Sequence, residues 1–299
     1  MTCIVPGGCK IIQCIEECLN MKKISRRSFL AAAGVAAAAL ALTACGSSAS
    51  STASSAASSA ASSEAASASA AAGELTTVEA GKLTMATNAA FPPYEMTTDA
   101  GEFEGIDIET AQAIADKLGL ELQIDDMDFD AALLSVQQGK ADIVMAGVTV
   151  TDERKAVMDF SDSYATGIQS IIVPEGSDIA SPDDLAGKKI GTQRGTTGYI
   201  YCSDDFGDEN VVAYDNGLTA VQALTNGQVD AVVIDNAPAK EYVAANPGLK
   251  VLDTSYAEED YAIGMAKGSA LEDAVNKALE ELKADGTLQA IVDKYINAN

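Results

Sequence analysis

Apolar and polar positions alternate in short blocks from about Val78 to the end of the chain. Runs rich in valine, isoleucine and leucine indicate strands, and stretches with apolar residues three or four positions apart indicate helices. The first half contains predicted strands and helices in the order KLTMAT, DIETAQAIADKLG, LELQID, FDAALLSVQQG and ADIVMAG. This strand-helix-strand-helix-strand order predicts an α/β unit with a mostly parallel sheet flanked by helices.

The second half repeats this pattern. Its predicted elements, in order, are KKIGTQ, NVVAYD, LTAVQALTNG, VDAVVID, APAKEYVAANPG and LKVLD. A last predicted strand, YAIGMAKG, precedes two predicted helices, LEDAVNKALEELKADG and TLQAIVDKYI. Two similar α/β units predict two lobes with a cleft between them, lined by the loops that follow the carboxyl ends of the strands.

An arginine occupies an unusual position in one of these loops. The segment AGVTVTDER ends the predicted strand ADIVMAG and leads into a helix, and Arg154 lies at the start of that helix. Acidic residues are favoured at a helix N-terminus and cations are not. A guanidinium binds a carboxylate through two parallel hydrogen bonds. Arg154 is therefore a candidate ligand for a carboxylate, and a surface ion pair with Asp159 or Asp126 is the alternative.

The second lobe offers a negative charge and an anion-binding loop. Asp235 ends the predicted strand AVVID, where it either faces the cleft or caps the helix NAPAKEYV. The loop RGTTG opens a helix, whose exposed N–H groups favour an anion. Sites for a carboxylate and for an ammonium group together describe an α-amino acid. Phe91 and Phe129 also lie in strand-end loops, where two rings either sandwich a ligand side chain or belong to the core.

The N-terminal region indicates export and lipid attachment. The segment MKKISRRSFLAAAGVAAAALALTAC has a basic start, an apolar run too short and alanine-rich for a typical membrane span, and small residues before Cys45. Its last four residues resemble a bacterial lipoprotein box. We therefore expect an upstream extension (1–20), a lipoprotein signal peptide (21–44) and lipidation of Cys45. The serine- and alanine-rich residues 45–77 predict a flexible tether, because they cannot bury enough apolar surface to fold.

Composition excludes several functional classes. The chain has no histidine, so histidine-based acid–base catalysis and histidine-ligated metals are excluded. Residues 1–44 contain five of the 19 basic and two of the 44 acidic residues, which leaves 14 basic and 42 acidic residues and a net charge of -28. Such a surface repels nucleic acid. Cys202 is the only cysteine after Cys45, so no disulfide framework is expected.

Several segments resemble the polar amino-acid-binding proteins of bacterial ABC importers. These segments are FPPYE followed by GIDIETAQAIA, MDFDAALLSVQQGKADIVMAGVTVTDERKAVMDFSDSY, GKKIGTQRGTTG and VDAVVIDNAPA. The resemblance runs from about residue 80 to the C-terminus and is strongest for glutamine and basic amino-acid binders. It implies the two-lobed periplasmic-binding-protein type II (clamshell) fold, with two hinge crossings. Lobe 1 is then formed by residues 78–166 and 263–299, and lobe 2 by residues 167–262.

The resemblance also implies a set of ligand-binding residues. They are Arg154, Asp235, Thr149, Gly147, Thr197, Phe91, Phe129, Asn88, Gln193 and Thr196. In this interpretation Arg154 pairs with the ligand α-carboxylate, assisted by the backbone N–H groups of Thr149 and Thr197. Asp235, the Thr149 hydroxyl and the Gly147 carbonyl receive the α-ammonium group.

The ligand side chain is less well specified by the sequence. Phe91 and Phe129 would flank it, and Asn88 and Gln193 lie where members of this family read its far end. Glutamine binders have an acid where this chain has Asn88 and a lysine where it has Gln193. Asp130 either supplies a carboxylate to a cationic side chain or caps the helix that it starts.

These features predict an extracytoplasmic, lipid-anchored substrate-binding protein on the outer face of a bacterial cell membrane. We expect a monomer without cofactor, metal or nucleic acid, which closes on a polar L-amino acid and passes it to a membrane permease with a cytoplasmic ATPase. Glutamine or a similar amino acid is the first expectation, and a basic amino acid or cystine is the alternative. A competing class is an enzyme of the same fold, such as a dehydratase, with Glu95 or Asp235 as acid or base. We expect no enzymatic activity, because the predicted cleft shows no second acid to work beside such a group.

Overall fold

The computed structural model describes residues 75–296. The predicted extension and signal peptide (1–44), Cys45 and residues 45–74 of the predicted tether lie outside this range. Between residues 75 and 296, every helix is too short or too polar to cross a lipid bilayer.

Strands form at the predicted apolar runs, with shifts at their ends, and also at five segments for which none was predicted: Ala90–Phe91, Glu95–Thr97, Phe103–Glu104, Met158–Phe160 and Ala165–Pro174. They are β1 (Lys82–Thr87), β2 (Ala90–Phe91), β3 (Glu95–Thr97), β4 (Phe103–Glu104), β5 (Glu121–Asp126), β6 (Ile143–Val144), β7 (Met158–Phe160), β8 (Ala165–Pro174), β9 (Ile190–Gln193), β10 (Val211–Tyr214), β11 (Ala231–Asp235), β12 (Leu249–Val251), β13 (Ala257–Tyr261) and β14 (Gly264–Ala266). The prediction of one strand for YAIGMAKG is wrong. Tyr261 ends β13 and Gly264 begins β14, because the chain leaves one sheet and enters the other between them.

The helices also correspond to the predicted amphipathic stretches. They are α1 (Ile106–Leu118), α2 (Phe129–Gln137), α3 (Asp152–Lys155), α4 (Thr197–Phe206), α5 (Gly217–Thr225), α6 (Asn236–Ala245), α7 (Glu272–Ala284) and α8 (Thr287–Ile296). Short 3-10 helices lie at Pro182–Leu185 and Asp208–Asn210. As predicted, Gly119 closes α1, where it adopts a left-handed conformation with φ of 71°.

Lobe 1 is built on a five-stranded sheet with the order β5-β1-β6-β14-β7. β1 pairs in parallel with β5 and β6, whereas β14 runs antiparallel to β6 and β7. Because side chains alternate along a strand, Leu83 and Met85 of β1 pack towards α1, α7 and α8, and Ala86 packs towards α2. A small antiparallel sheet, β2-β3-β4, follows β1 in the chain.

Lobe 2 is built on a six-stranded sheet with the order β10-β9-β11-β8-β12, in which β13 also pairs with β8. β9 is parallel to β10 and β11, and β8 is antiparallel to β11, β12 and β13. Val232 and Ile234 of β11 pack towards α5 and α6, and Val233 packs on the side of α4. Both sheets are therefore mixed, with antiparallel strands where the chain enters and leaves each lobe.

Two short connections join the lobes. The chain passes from β7 to β8 through residues 161–164 and from β13 to β14 through residues 262–263. β8 and β13 pair with each other up to Ala165 and Tyr261, and the Tyr164 N–H donates to the Tyr261 carbonyl at 3.0 Å. The connections are thus hydrogen-bonded to each other at the base of a two-lobed clamshell, the expected fold.

Candidate functional site

A cleft between the lobes contains every residue that the sequence predicted to bind a ligand. Lobe 1 contributes the segments after β1 and β6 and the start of α2, and lobe 2 contributes the ends of β9 and β11 and the start of α4. The cleft also contains residues that were not predicted to bind the ligand: Glu95, Ala146, Gln169, Ile234 and Tyr261.

Arg154 points into this cleft from lobe 1. Thr151 caps the short helix α3 by accepting a hydrogen bond from the Arg154 N–H at 3.2 Å. The buried guanidinium donates to the Thr149 carbonyl at 2.7 Å and, across the cleft, to the Gly195 carbonyl at 3.1 Å. It lies over the ring of Phe129 at 5.4 Å from the ring centroid. Burial lowers the pKa of Arg154, but a guanidinium remains protonated near neutral pH.

The surface ion pair considered for Arg154 is wrong. Asp159 instead pairs with Lys267 at 2.6 Å, and Asp126 accepts a hydrogen bond from the Ala89 N–H at 2.8 Å. Among residues 75–296, no carboxylate lies within 4.0 Å of the Arg154 guanidinium. The positive charge of Arg154 is therefore held by neutral carbonyl groups inside the cleft.

Asp235 faces the cleft from lobe 2 and caps a helix as well. One carboxylate oxygen accepts from the Ala237 N–H at 3.0 Å, in the N-cap position of α6, and the other accepts from the Ile168 N–H at 2.7 Å. The side chain is only 2% exposed. Burial raises the pKa of Asp235 to about 6, against the opposing effect of these hydrogen bonds. The sequence left open whether Asp235 caps a helix or faces the cleft, and the side chain does both.

A cluster of aromatic rings lies at one side of the cleft, formed by Phe91 and Tyr94 of lobe 1 and by Tyr261 at the end of β13. Phe91 stacks on Tyr94 with 5.8 Å between ring centroids, and Tyr94 meets Tyr261 edge to face at 5.4 Å. Gly147 has φ of 54°, and a Cβ atom there would lie 2.9 Å from the ring of Phe91. Gly147 is therefore required both by the backbone conformation and by the close approach of this ring.

Hydrogen bonds across the cleft hold the two lobes together in a closed arrangement. The Gln193 amide donates to the Asn88 side-chain oxygen at 2.9 Å, and the hydroxyl groups of Thr149 and Thr197 lie 3.3 Å apart. Thr196 caps α4, accepting from the Tyr199 N–H at 3.4 Å.

A further hydrogen bond between the lobes lies outside the cleft. The Tyr242 hydroxyl of α6 donates to the Ala90 carbonyl of β2 at 2.7 Å. Neither residue is among those that line the cleft in the described part of the chain. This bond therefore joins the lobes from outside the cleft lining.

Glu95 and Asp107 form a pair of fully buried acids at the cleft. Asp107, in the first turn of α1, accepts from the Gly147 N–H at 2.9 Å and from the Tyr164 hydroxyl at 2.7 Å. Burial raises the pKa of Asp107 to about 6. Burial and the facing Asp107 raise the pKa of Glu95 well above its usual value. Of the two acids, Glu95, which lines the cleft, is therefore the one whose pKa is raised more strongly and whose protonated form is the more favoured.

Asp130 does not cap α2, and a contact between its carboxylate and a cationic ligand side chain stays a prediction. Asp128 occupies the N-cap position of α2, and Asp130 lies outside the cleft with its carboxylate against Gly195, where a Cβ atom would be 1.7 Å away. Arg194 is exposed and lies 3.7 Å from Asp215.

Two of the five cleft residues that were not predicted from the sequence lie on the strands next to the hinge. Gln169 belongs to β8, and Tyr261 ends β13. A single apolar run does not show which face of its strand points to a cleft, because the orientation depends on the strand with which it pairs. Glu95 was recognisable as an acid directly after FPPY, but only the fold shows its contact with Asp107.

A protein-family model matches most of the described chain. The family model described as bacterial extracellular solute-binding proteins, family 3, matches residues 83–298. The match covers both lobes and all of the predicted ligand-binding residues.

Individual proteins are also similar over most of the chain. The probable histidine-binding protein of Neisseria gonorrhoeae is 34% identical over 93% of this chain and 96% of its own length. The L-cystine-binding protein TcyJ of Escherichia coli is 34% identical over 74% of this chain and 85% of its own length. Among solved structures, the arginine-, lysine-, histidine-binding protein ArtJ of Geobacillus stearothermophilus is 34% identical, with a TM-score of 0.70, over 73% of this chain and 96% of that one.

Proposed function

The chain belongs to the bacterial extracellular solute-binding proteins of family 3, and on that premise we propose that it captures one polar L-amino acid by closing its lobes. The observation that carries this proposal is the position of two opposite charges. Arg154 of lobe 1 and Asp235 of lobe 2 are both buried in the same cleft. An α-amino acid has a carboxylate and an ammonium group on one carbon, and it matches this pair with both of its charges.

The two ends of the ligand head group have different partners in this proposal. The α-carboxylate binds the Arg154 guanidinium, with the backbone N–H groups of Thr149 and Thr197 beside it. The α-ammonium group binds the Asp235 carboxylate, with further acceptors at the Thr149 hydroxyl and the Gly147 carbonyl. Because these partners lie on both lobes, the ligand contacts all of them only in the closed state and shifts the equilibrium towards closure.

The cleft favours a cationic ligand side chain over a neutral one. Its acidic and basic lining residues, within the described chain, are Glu95, Arg154 and Asp235. The amino-acid head group matches Arg154 and Asp235 and leaves the Glu95 carboxyl without a partner. A guanidinium or ammonium group on the ligand would favour the ionised form of Glu95 and pair with it. We therefore rank a basic amino acid, with arginine first, before glutamine.

The remaining parts of the proposal come from the N-terminal sequence. A signal peptide followed by Cys45 implies that the mature protein is attached by acyl chains to the outer face of the cell membrane. A long serine- and alanine-rich tether would then let the binding domain reach a membrane permease, which works with a cytoplasmic ATPase. We propose a monomer, since each chain contains a complete cleft.

A thermal-shift screen of purified protein with the common L-amino acids, ornithine, citrulline and cystine tests the proposal. A ligand that binds only the native state raises the free energy of unfolding by about 2.7 kcal/mol at a hundredfold excess over its Kd. We expect the largest rise in Tm with L-arginine or another basic amino acid. A screen in which no amino acid raises the Tm would contradict the proposed function.

Family membership favours binding over catalysis, because the family and the relatives described above are solute-binding proteins. An enzyme of this fold would convert its ligand. Recovery of the bound amino acid, chemically unchanged after overnight incubation and denaturation of the protein, is the result expected here. A chemically altered product, identified by mass spectrometry, would favour the enzyme.

A further inference from the structure

Three polar residues lie across adjacent strands on the cleft side of the lobe 2 sheet. Asp235 of β11 is paired directly with Gln169 of β8, and Gln169 is paired with Ala257 of β13. Glu259 lies two positions beyond Ala257 and therefore points to the same face. Side chains of directly paired residues have Cβ atoms about 5 Å apart, so Gln169 stands beside the acid that we assign to the α-ammonium group.

Glu259 fixes the orientation of the Gln169 amide. The Glu259 carboxylate accepts from the Gln169 side-chain nitrogen at 2.9 Å. Because a carboxylate only accepts hydrogen bonds, the NH2 group of Gln169 must face Glu259, and the amide oxygen must point the other way. The choice between the two amide orientations is therefore decided by chemistry.

The Gln169 amide oxygen is an unpaired acceptor. Gln169 is 5% exposed and lines the cleft, and its Oε1 atom has no hydrogen-bond partner in the described part of the protein. This oxygen lies against Gly198 in the first turn of α4, where a Cβ atom would be 2.8 Å from it. A buried acceptor without a donor is unfavourable by about 1–3 kcal/mol, so a donor is expected to complete this site.

Glu259 also orients the Thr149 hydroxyl. The carboxylate accepts from Thr149 Oγ1 at 3.1 Å. A hydroxyl has one proton, so Thr149 must be the acceptor in its 3.3 Å contact with the Thr197 hydroxyl. The lone pairs of Thr149 Oγ1 therefore remain available to accept hydrogen bonds. The Glu259 carboxylate thus orients the neutral side chains of Gln169 and Thr149 so that their oxygen atoms accept hydrogen bonds.

We propose that the Gln169 amide oxygen accepts a hydrogen bond from the α-ammonium group of the bound amino acid and that Glu259 is the positioning residue that presents this oxygen. The inference rests on the proposed function, since it concerns the same ligand head group. An ammonium group has three donors, and the Gln169 oxygen joins Asp235, the Thr149 hydroxyl and the Gly147 carbonyl as an acceptor around them. Gln169 is then a specificity residue, and Glu259 acts through Gln169 and Thr149.

A comparison of matched ligands tests the role of Gln169. L-Arginine and 5-guanidinopentanoate differ only in the α-ammonium group, as do L-glutamine and 5-amino-5-oxopentanoate. The pair used is the one whose amino acid binds the unsubstituted protein more tightly, measured by titration calorimetry. If another amino acid from the thermal-shift screen binds instead, it and its deaminated analogue form the pair. If no amino acid binds, the proposed function fails and the inference fails with it.

The variant Gln169→Met removes the acceptor and keeps the length of the side chain. We expect it to weaken binding of the amino acid by about tenfold to a hundredfold, the usual effect of losing a hydrogen bond to a charged group. Binding of the deaminated analogue should change by less than about threefold. An equal loss for both ligands, or no loss, would overturn the inference while the proposed function stands.

Glu259 is tested by two substitutions that separate its roles. Glu259→Gln keeps an oxygen that can accept from Gln169 and Thr149, whereas Glu259→Leu does not. We expect Glu259→Leu to reduce the preference for the amino acid over its analogue by about tenfold and Glu259→Gln to restore most of it. The neighbouring Glu258 is exposed, and Glu258→Leu should leave this preference unchanged.

A direct measurement covers the case in which a variant does not fold. In a crystal structure of the unsubstituted protein with the bound amino acid, Gln169 Oε1 should lie within about 3.2 Å of the α-nitrogen. A longer distance, or a Gln169 amide turned with its nitrogen towards the ligand, would overturn the inference.

Discussion

Arg154 and Asp235 are buried in the same cleft without pairing with each other. The guanidinium of Arg154 is held by the carbonyl groups of Thr149 and Gly195, and the carboxylate of Asp235 is held by the N–H groups of Ala237 and Ile168. Each charge is thus oriented by backbone dipoles from its own surroundings. A direct ion pair would leave little for a ligand to bind, whereas this arrangement leaves both charges available to a zwitterion.

Replacement of Arg154 should weaken ligand binding strongly. Arg154→Met leaves the ligand α-carboxylate buried without a counter-charge, which is unfavourable by about 3–5 kcal/mol. Titration calorimetry with the best amino acid from the screen measures this loss. Arg194→Met is the matched control, because Arg194 is exposed, and its affinity should stay within about 0.5 kcal/mol of the parent. Equal affinities of the two variants would reject the carboxylate assignment.

Asp235 should make the stability of the ligand-free protein depend on pH. Its pKa in the folded protein is about 6, above the usual 3.8, so the native state keeps a proton that the unfolded chain has lost. The resulting stabilisation is present below about pH 4 and is lost as the pH rises through about 6. The unfolding free energy of the parent, relative to that of Asp235→Asn, should therefore fall by about 3 kcal/mol from about pH 4 to about pH 7.

Urea unfolding at several pH values measures this difference. A constant offset between the parent and Asp235→Asn reports only the lost hydrogen bonds, so the pH-dependent part carries the prediction. Asp253→Asn, at an exposed position, is the control for the replacement of an aspartate by asparagine. Parallel curves for Asp235→Asn would show that the Asp235 carboxyl titrates normally.

Glu95 should set the preference for a charged ligand side chain. L-Arginine and L-citrulline have nearly the same shape, but only arginine is cationic. We expect Glu95→Gln to weaken arginine binding by at least about tenfold and citrulline binding much less, because the variant lacks the ionisable carboxyl. The exposed Glu102 supplies the control variant Glu102→Gln. Unchanged discrimination between the two ligands would remove Glu95 from the ligand site.

Gly147→Ala should destabilise the protein in two ways. A residue with a Cβ atom is strained at φ of 54°, by about 1–2 kcal/mol, and the new atom would also displace the ring of Phe91. Gly227→Ala separates these contributions, because Gly227 has φ of 67° with open space around it. We expect a larger loss of unfolding free energy for Gly147→Ala than for Gly227→Ala. Similar losses would show that Phe91 moves freely.

Lipid attachment should depend on Cys45. Cys45→Ser removes the thiol that receives the diacylglycerol group, so the variant should move from the membrane fraction to the soluble fraction of expressing bacteria. Cys202→Ser leaves the lipoprotein box intact and should remain in the membrane fraction. Fractionation followed by immunoblotting measures both. Membrane retention of Cys45→Ser would contradict a lipid anchor at this residue.

The sequence predicted the positions of the cleft residues well because strand-end loops in α/β lobes converge. Arg154, Asp235 and the glycine at position 147 follow recognisable strands, so their meeting depended only on the order of elements. The helices were also predictable, because their apolar positions repeat and Gly119 closes α1. What these residues bind remains a proposal.

The residues on the hinge strands were not predictable in the same way. YAIGMAKG was interpreted as one strand, whereas the chain changes sheets between Tyr261 and Gly264. The cleft-facing side of β13 became clear only from its antiparallel register with β8. Gln169 and Glu259 therefore depend on long-range pairing, which a single apolar run does not encode.

The bond from the Tyr242 hydroxyl to the Ala90 carbonyl lies outside the ligand cleft. If the protein closes on an amino acid as proposed, this bond forms whichever amino acid is held, so it would strengthen the binding of each by the same factor. A contact of this kind leaves the ratio of the affinities for two ligands unchanged. Selectivity between amino acids must then depend on residues inside the cleft. A substitution at Tyr242 would change how long a ligand stays bound without changing which amino acid binds more tightly.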